Sequence, residues 1–340
     1  MRLATYNVEW FTALFDDDGG LLADGTWSSR YNVTRLQQLE ALAKVFTALD
    51  ADGILIVEAP DENRRRSTVA ALENFAQWAG LRARRAVIGF GNNTQQEIAF
   101  LYDPDQISAW HDPMGETGSG TEGVAPRFDK SLLIDLDTDA APEDVVFSKP
   151  PLELALKTAS GFELRMIGIH VKSKAPHGAR NAADEVRISI ENRRKQLAQC
   201  IWVRRRVVEH LNAGDALIVL GDFNDGPGLD EYEKLFGRSS VEIVLGETQG
   251  PQLYDPHARL ELSHRFAATP TTARFYIHPQ KRYLQALLDY IMLSPDLMSR
   301  APDWRIWHPF EDARCYELVD LREALLTASD HFPVTLDIDI

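Results

Sequence analysis

The chain has 340 residues, 44% hydrophobic and 26% charged, which suits a globular protein with one large core or two modest ones. Its 36 basic and 51 acidic side chains leave a formal charge of −15 and a pI near 5.1, which argues against a broad DNA-coating face. Two cysteines cannot build a disulfide framework, and no run of 18 apolar residues is present to span a bilayer, so a protein of a reducing, cytoplasmic compartment is expected.

The N-terminus enters a strand-like pattern directly, over residues 3–10, without the features of a signal peptide. Apolar residues at 33, 36, 39, 42, 45, 46 and 49 follow a helical period, with Asn32 or Thr34 as the candidate cap. "GILIV" (53–57) reads as a buried strand closed by Glu58, residues 69–79 as a helix, and "IAFLY" (98–102) as a strand stopped by Asp103-Pro104. Residues 111–130 are rich in Gly, Thr and Pro, as a surface loop would be, and 132–136, 152–156 and 164–170 look like further strands. A long helix is expected from 182 to 211, then strands at 216–220, 288–294 and 332–340. Alternating strands and helices from end to end predict a single α/β domain over 1–340, with 111–150 as an insertion.

The strands share one peculiarity: their apolar runs stop at, or are broken by, an acid, an amide or an imidazole. "ATYNVEW" holds Asn7, "ILIVEAPDE" places Glu58, and "MIGIHVKSK" delivers His170 and then Lys172 and Lys174. "IVLGDFND" delivers Asp222 and Asn224, "LLDYIML" encloses Asp289, and "TASDHFPV" puts Asp330 and His331 at the mouth of the last strand. Any one of these is explained by a turn or a cap. Six together predict a site, since strand-end loops on a rigid sheet are where binding groups collect. Glu58 and Asp222, with Asp330 available, are hard oxygen donors of the kind that Mg²⁺ or Mn²⁺ takes. His331 and Asp289 suit an oriented imidazole–carboxylate pair. These parts match what phosphoryl transfer demands, while Ser nucleophile elbows, Gly-rich phosphate loops and dinucleotide fingerprints are missing from the sequence.

In their order, "TYNVEW", "LIVEAPDE", "IGIHVKSK", "IVLGDFND", "LLDYIMLS" and "SDHFPV" resemble the endonuclease/exonuclease/phosphatase superfamily, from residue 5 to 334. The resemblance implies the deoxyribonuclease-I-like fold: a four-layer α/β/β/α sandwich, two mixed sheets face to face with helices outside. It implies Glu58 as main metal ligand with Asn7 beside it and Asp330 close by, for Mg²⁺ or Mn²⁺. Asp222 is similar to the residue that activates water, and Asn224 to its phosphate-binding neighbour, with Asn7 and Lys172 also expected on the substrate. His331 corresponds to the essential histidine paired to Asp289, and His170 to a catalytic histidine that apurinic/apyrimidinic endonucleases replace by tyrosine. The family's second acid falls near Gln96 or Glu97, which a strand period of two would face in opposite directions. Arg127 and Lys149 fall on strands resembling the substrate side, and Tyr276, His278 or Arg282 are candidates to line the pocket. Arginines at 64–66 and 82–85 are candidates to track a polyanion, and those at 204–206 read as a solvated face.

A phosphate-ester substrate is therefore expected, with two classes open. Nucleic acid predicts salt-sensitive binding along a basic strip. A small or lipid-derived ester, of the inositol phosphate or sphingomyelin type, predicts a closed pocket capped by 111–150.

Overall fold

The computed structural model describes residues 1–92, 94, 96–115, 124–134, 143–176, 178–227, 236–247, 249–263, 269–277 and 281–340. Two mixed sheets carry the architecture. The first has six strands in the order β14 (Asp303–Ile306), β15 (Val334–Asp337), β1 (Arg2–Asn7), β2 (Gly53–Ala59), β4 (Glu97–Tyr102) and β3 (Arg85–Ile88). The second has five, in the order β13 (Asp289–Leu293), β10 (Leu217–Asp222), β9 (Glu163–His170), β8 (Leu152–Thr158) and β5 (Ile107–His111). Two hairpins stand apart, β6 (Ser131–Ile134) with β7 (Glu143–Val146), and β11 (Ala273–Ile277) with β12 (Arg282–Ala286).

Strand alternation explains the layers. On β1, Leu3 faces a core shared with Leu55 and Val57 of β2, Met166 of β9, and Ile218 and Leu220 of β10, so this core lies between the sheets. Ala4 and Tyr6 face the other way, against α1 (Arg35–Leu49), α2 (Thr68–Ala79) and the C-terminal helix Val319–Ala328. On the far side α3 (Ala182–Ala213) lays Leu197, Trp202 and Val203 on Val219 and Ile169 of the second sheet. The expected four layers are present.

Local chemistry sets the helix ends. Thr34, not Asn32, caps α1, in a capping box with Gln37, and the helix stops at Asp50 in a left-handed conformation. Asn181 caps α3, which runs two residues past the expected end and closes on Gly214. The first strand is shorter than expected. It ends at Asn7 because Trp10 turns left-handed and opens a 3₁₀ turn over Phe11–Leu14. Within 111–150, β6 and β7 pack Leu132, Ile134 and Val145 into the core beneath α3. Among the described residues no helix is long and apolar enough to cross a membrane.

Candidate active site at one edge of the sandwich

Pairing register assembles half of the site. Asp222, the last residue of β10, lies opposite His170 on β9 and opposite Asp289 on β13, so three side chains singled out separately form one row across the sheet end. Gly221 allows this closure. Its φ is +134°, and a Cβ there would lie 2.1 Å from the Ile169 carbonyl oxygen.

The first sheet brings Asn7 and Glu58 to the same edge. Asn7 Nδ2 donates to Asp222 Oδ2 at 3.0 Å, tying the two sheets together, and its Oδ1 is buried without a partner among the described residues. Glu58 sits in a bulge between Val57 and Ala59 with φ +60°, which breaks the strand alternation. Its Oε2 accepts the backbone N–H of Trp10, itself left-handed at φ +55°. Asn224, at φ +49°, donates its N–H to Asp222 Oδ1 at 2.7 Å and its Nδ2 to the Val171 carbonyl at 3.0 Å and Asp222 Oδ2 at 3.2 Å. Three non-glycine residues in the left-handed region thus meet at one edge, the kind of strain that collects at functional sites.

His331 Nδ1 lies 2.8 Å from Asp289 Oδ2, which also accepts the Thr272 hydroxyl at 2.8 Å. A carboxylate accepts only, so Nδ1 carries the proton and Nε2 is left for the cavity. Burial works against the imidazolium, but Asp289, Asp222 and Asp330 outweigh it and push the His331 pKa up to about 10. Burial raises Asp222 to about 7, with His331 and the Asn224 and Asn7 hydrogen bonds opposing. At neutral pH the site therefore pairs a protonated imidazole with a carboxylate poised to exchange a proton.

His170 is different. Burial and the neighbouring Lys149 ammonium hold its pKa well below the ordinary histidine range, so it is neutral. Lys149 Nζ lies 3.0 and 3.1 Å from the two His170 ring nitrogens and donates to Gln96 Oε1 at 2.7 Å. Burial lowers Lys149 to about 8, with Glu58 and Asp222 opposing. The charge beside His170 thus belongs to Lys149.

These side chains line one cavity of about 800 Å³: Asn7, Glu58, His170, Lys172, Asp222, Asn224, Asp330 and His331, together with Lys149 and Gln96. Asp289 stands behind His331. The acid adjacent to Gln96 turns away, as the strand period requires: Glu97 is buried, accepting from Asn92 Nδ2 at 2.7 Å. Several expectations are corrected. Arg127 is forked onto Asp129 above the Phe90 ring and does not line the cavity, nor do Tyr276 and Arg282; His278 lies outside the described residues. Within 111–150, the described residues that reach the cavity are Ser148 and Lys149, so the described part of that segment is no cap. Of the 64–66 cluster, Arg66 is buried against Thr12, Phe15 and Asp61, Arg65 pairs with Asp17 at the surface and Arg64 is exposed, while Arg82, Arg84 and Arg85 pair with Asp50, Asp52, Asp103, Asp105 and Glu73, so the 82–85 cluster is matched by acids. Arg206 is not solvated at all. It is fully buried with Glu153 at 2.7 Å, and Arg204 is half-buried on carbonyls at 244 and 251. Asp225, the second acid of "GDFND", is a buried partner of Lys174 and Arg193.

The donor set fits a hard divalent cation. Among the described residues Glu58 keeps Oε1 uncommitted and Asn7 keeps its buried Oδ1 without a partner, and Asp330 adds a carboxylate on the same cavity. Asp222, Asp289 and His331 also present atoms within 4.8 Å of one another, but the proton on His331 Nδ1 is held by Asp289 and excludes an ion from that nitrogen.

Residues 4–331 match the profile of the Endonuclease/Exonuclease/phosphatase family. The chain belongs to that family. Enzymes of the endonuclease/exonuclease/phosphatase family are phosphoester hydrolases, generally dependent on a divalent metal. Among solved structures, the protein is similar to TDP2 from Caenorhabditis elegans, at 14% identity over 100% of this chain and 74% of that one, with a TM-score of 0.53. It is similar also to a mannosyl-6-phosphatase from Bacteroides thetaiotaomicron, at 16% identity over 100% of both chains, with a TM-score of 0.51. At such identities these likenesses establish the deoxyribonuclease-I-like fold. No curated protein sequence matches the chain significantly.

Proposed function

We propose that the chain is a divalent-metal-dependent phosphodiesterase that cleaves nucleic acid by in-line attack of water. The observation carrying this reading is the placement of Asp222: buried, clamped by Asn7 and Asn224, raised to about 7, and on one cavity with Glu58 and a protonated His331. Glu58, Asn7 Oδ1 and Asp330 would hold Mg²⁺ or Mn²⁺. When bound, such an ion polarises the phosphoryl oxygen and lowers the pKa of coordinated water.

The protein's own groups do the rest. Asp222 takes the proton of the attacking water, a role typically worth about 10²- to 10⁴-fold. His331 Nε2 donates to a phosphoryl oxygen as negative charge develops, with Asp289 fixing the ring and balancing its charge. Lys149 and Lys172 supply further positive charge, and neutral His170 offers a hydrogen bond beside them. Asn224 holds Asp222 in line through its backbone and amide N–H groups.

A second reading, a small-molecule phosphate ester, is favoured by the walled cavity of about 800 Å³, a size ordinary for small ligands. Nicking of supercoiled plasmid with Mg²⁺, wild type beside His331→Ala, separates the two. Nicking that requires both metal and His331 supports the nuclease. Intact plasmid with hydrolysis of small mono- or diesters transfers the substrate to the second class, and no hydrolysis of either rejects the phosphoesterase.

A further inference from the structure

The cavity holds far more than a phosphate group, and part of its wall is apolar. Trp10, Phe275, Leu284, Ala286 and Leu288 line it alongside the charged floor. Two of these are large apolar side chains left in the open: Trp10 is 39% exposed and Leu284 is 38% exposed. Their neighbours do better. Phe11, one residue on, is buried against Phe15 and Phe75, whereas Trp10 stacks on no ring among the described residues.

Trp10 is also held in place at some cost. Its backbone is left-handed, which a bulky residue rarely adopts, and its N–H is bonded to Glu58 Oε2 at 3.1 Å. The Trp10 main chain is therefore anchored to the same carboxylate that faces the charged floor of the cavity. Phe275, on the β11–β12 hairpin, stands edge-on to His331 with ring centroids 5.4 Å apart. Aromatic residues thus border the cavity next to both Glu58 and His331. A partly exposed indole is an amphipathic contact surface that prefers a flat partner.

From this geometry we infer that Trp10, with Phe275, forms a slot for an aromatic ring on the organic arm of the substrate, so that the ester cleaved carries a nucleobase or an aryl group next to its phosphate. This rests on the proposed phosphoesterase reading but is tested apart from it. Trp10 would be a substrate contact that sets specificity, and Leu284 would close the slot from the β11–β12 hairpin.

The experiment is calorimetric binding, with Mg²⁺ present, of phenyl phosphate, thymidine 5′-phosphate and methyl phosphate. Wild-type protein should bind a ring-bearing ester about 5- to 100-fold more tightly than methyl phosphate, the range expected when a ring stacks on an indole. Trp10→Ala should bring that ratio close to one. Trp10→Leu, which keeps apolar bulk and removes the ring, guards against misfolding and should also lose most of the ratio, with thermal midpoints as the check on folding. The tighter of the two ring ligands identifies the source, nucleobase or aryl alcohol. Equal affinities in the wild type, or a ratio that survives in folded Trp10→Ala and Trp10→Leu, overturn the slot. Hydrolysis of methyl and phenyl 4-nitrophenyl phosphates tests the other claim. Ring preference without turnover rejects the phosphoesterase and keeps the slot, and turnover without ring preference does the reverse.

Discussion

At the scale of single residues, the proposed mechanism depends on two opposed pKa shifts on one cavity. Asp222 must lose its proton to act as base, and His331 must keep its proton to act as donor. With Asp222 at about 7 and His331 at about 10, kcat/KM should rise with pH through an apparent value near 7 and fall again near 10. A profile flat from pH 5 to 9 would remove Asp222 as base. Asp222→Asn should abolish turnover while leaving the thermal midpoint within a few degrees. Asp289→Asn offers His331 an amide that favours the wrong tautomer, and should lower kcat by about 10³- to 10⁴-fold. Near-wild-type turnover in that variant would dissolve the pair. These assignments were legible in the sequence because each is a polar residue interrupting an apolar run. Lys149 was legible only as a candidate on a resembling strand, and its control of His170 was not, because the contact joins residues 21 positions apart. Trp10 gave no signal: a tryptophan at the end of the expected strand 3–10 reads as core until its exposure is known.

At the scale of elements, the decisive features are the ends of strands. The tight approach of β10 to β9 depends on Gly221, whose φ of +134° and 2.1 Å Cβ clearance leave no room for a side chain. Gly221→Ala should destabilise the fold by at least about 1–3 kcal/mol and lower turnover as well, since Asp222 is the next residue. Unfolding and kinetic measurements on one preparation check both. The buried Arg206–Glu153 pair beneath α3 is a second test. Glu153→Leu leaves the guanidinium with Glu209 and two carbonyls, and a cost at the lower end of about 3–5 kcal/mol is expected. The long helix was readable from its period. The burial of Arg206 was not, since charge runs are ordinarily solvated and only the fold reveals Glu153 opposite. The β11–β12 hairpin does alternate, with Ala273, Phe275 and Ile277 set between Arg274 and Tyr276, yet which face meets the cavity emerged only in three dimensions: Phe275 and Leu284 line it, not Tyr276 and Arg282.

For the whole molecule, the two sheets are complementary halves of one centre. One contributes oxygen donors at Asn7 and Glu58, and the other contributes Asp222, His170 and the Asp289 that orients His331. A ligand bridging such halves stabilises the folded chain by mass action, about 2.7 kcal/mol at a hundredfold excess over Kd. Mg²⁺ or Mn²⁺ should therefore raise the thermal midpoint by several degrees, and Glu58→Gln should lose most of that gain. An unchanged midpoint in both proteins would contradict a metal at Glu58. The net charge of −15 argues against a general basic face, so the proposed nuclease reading expects nucleic acid to be held at the Lys149 and Lys172 cavity.

The most direct test of the account is hydrolysis of a 4-nitrophenyl phosphodiester with Mg²⁺ or Mn²⁺, comparing wild type, Asp222→Asn and Glu58→Gln, each checked for folding. The account predicts turnover that chelator abolishes, no turnover in Asp222→Asn, and in Glu58→Gln a loss that added metal partly restores. Chelator-resistant turnover, or turnover undiminished in Asp222→Asn, would contradict it.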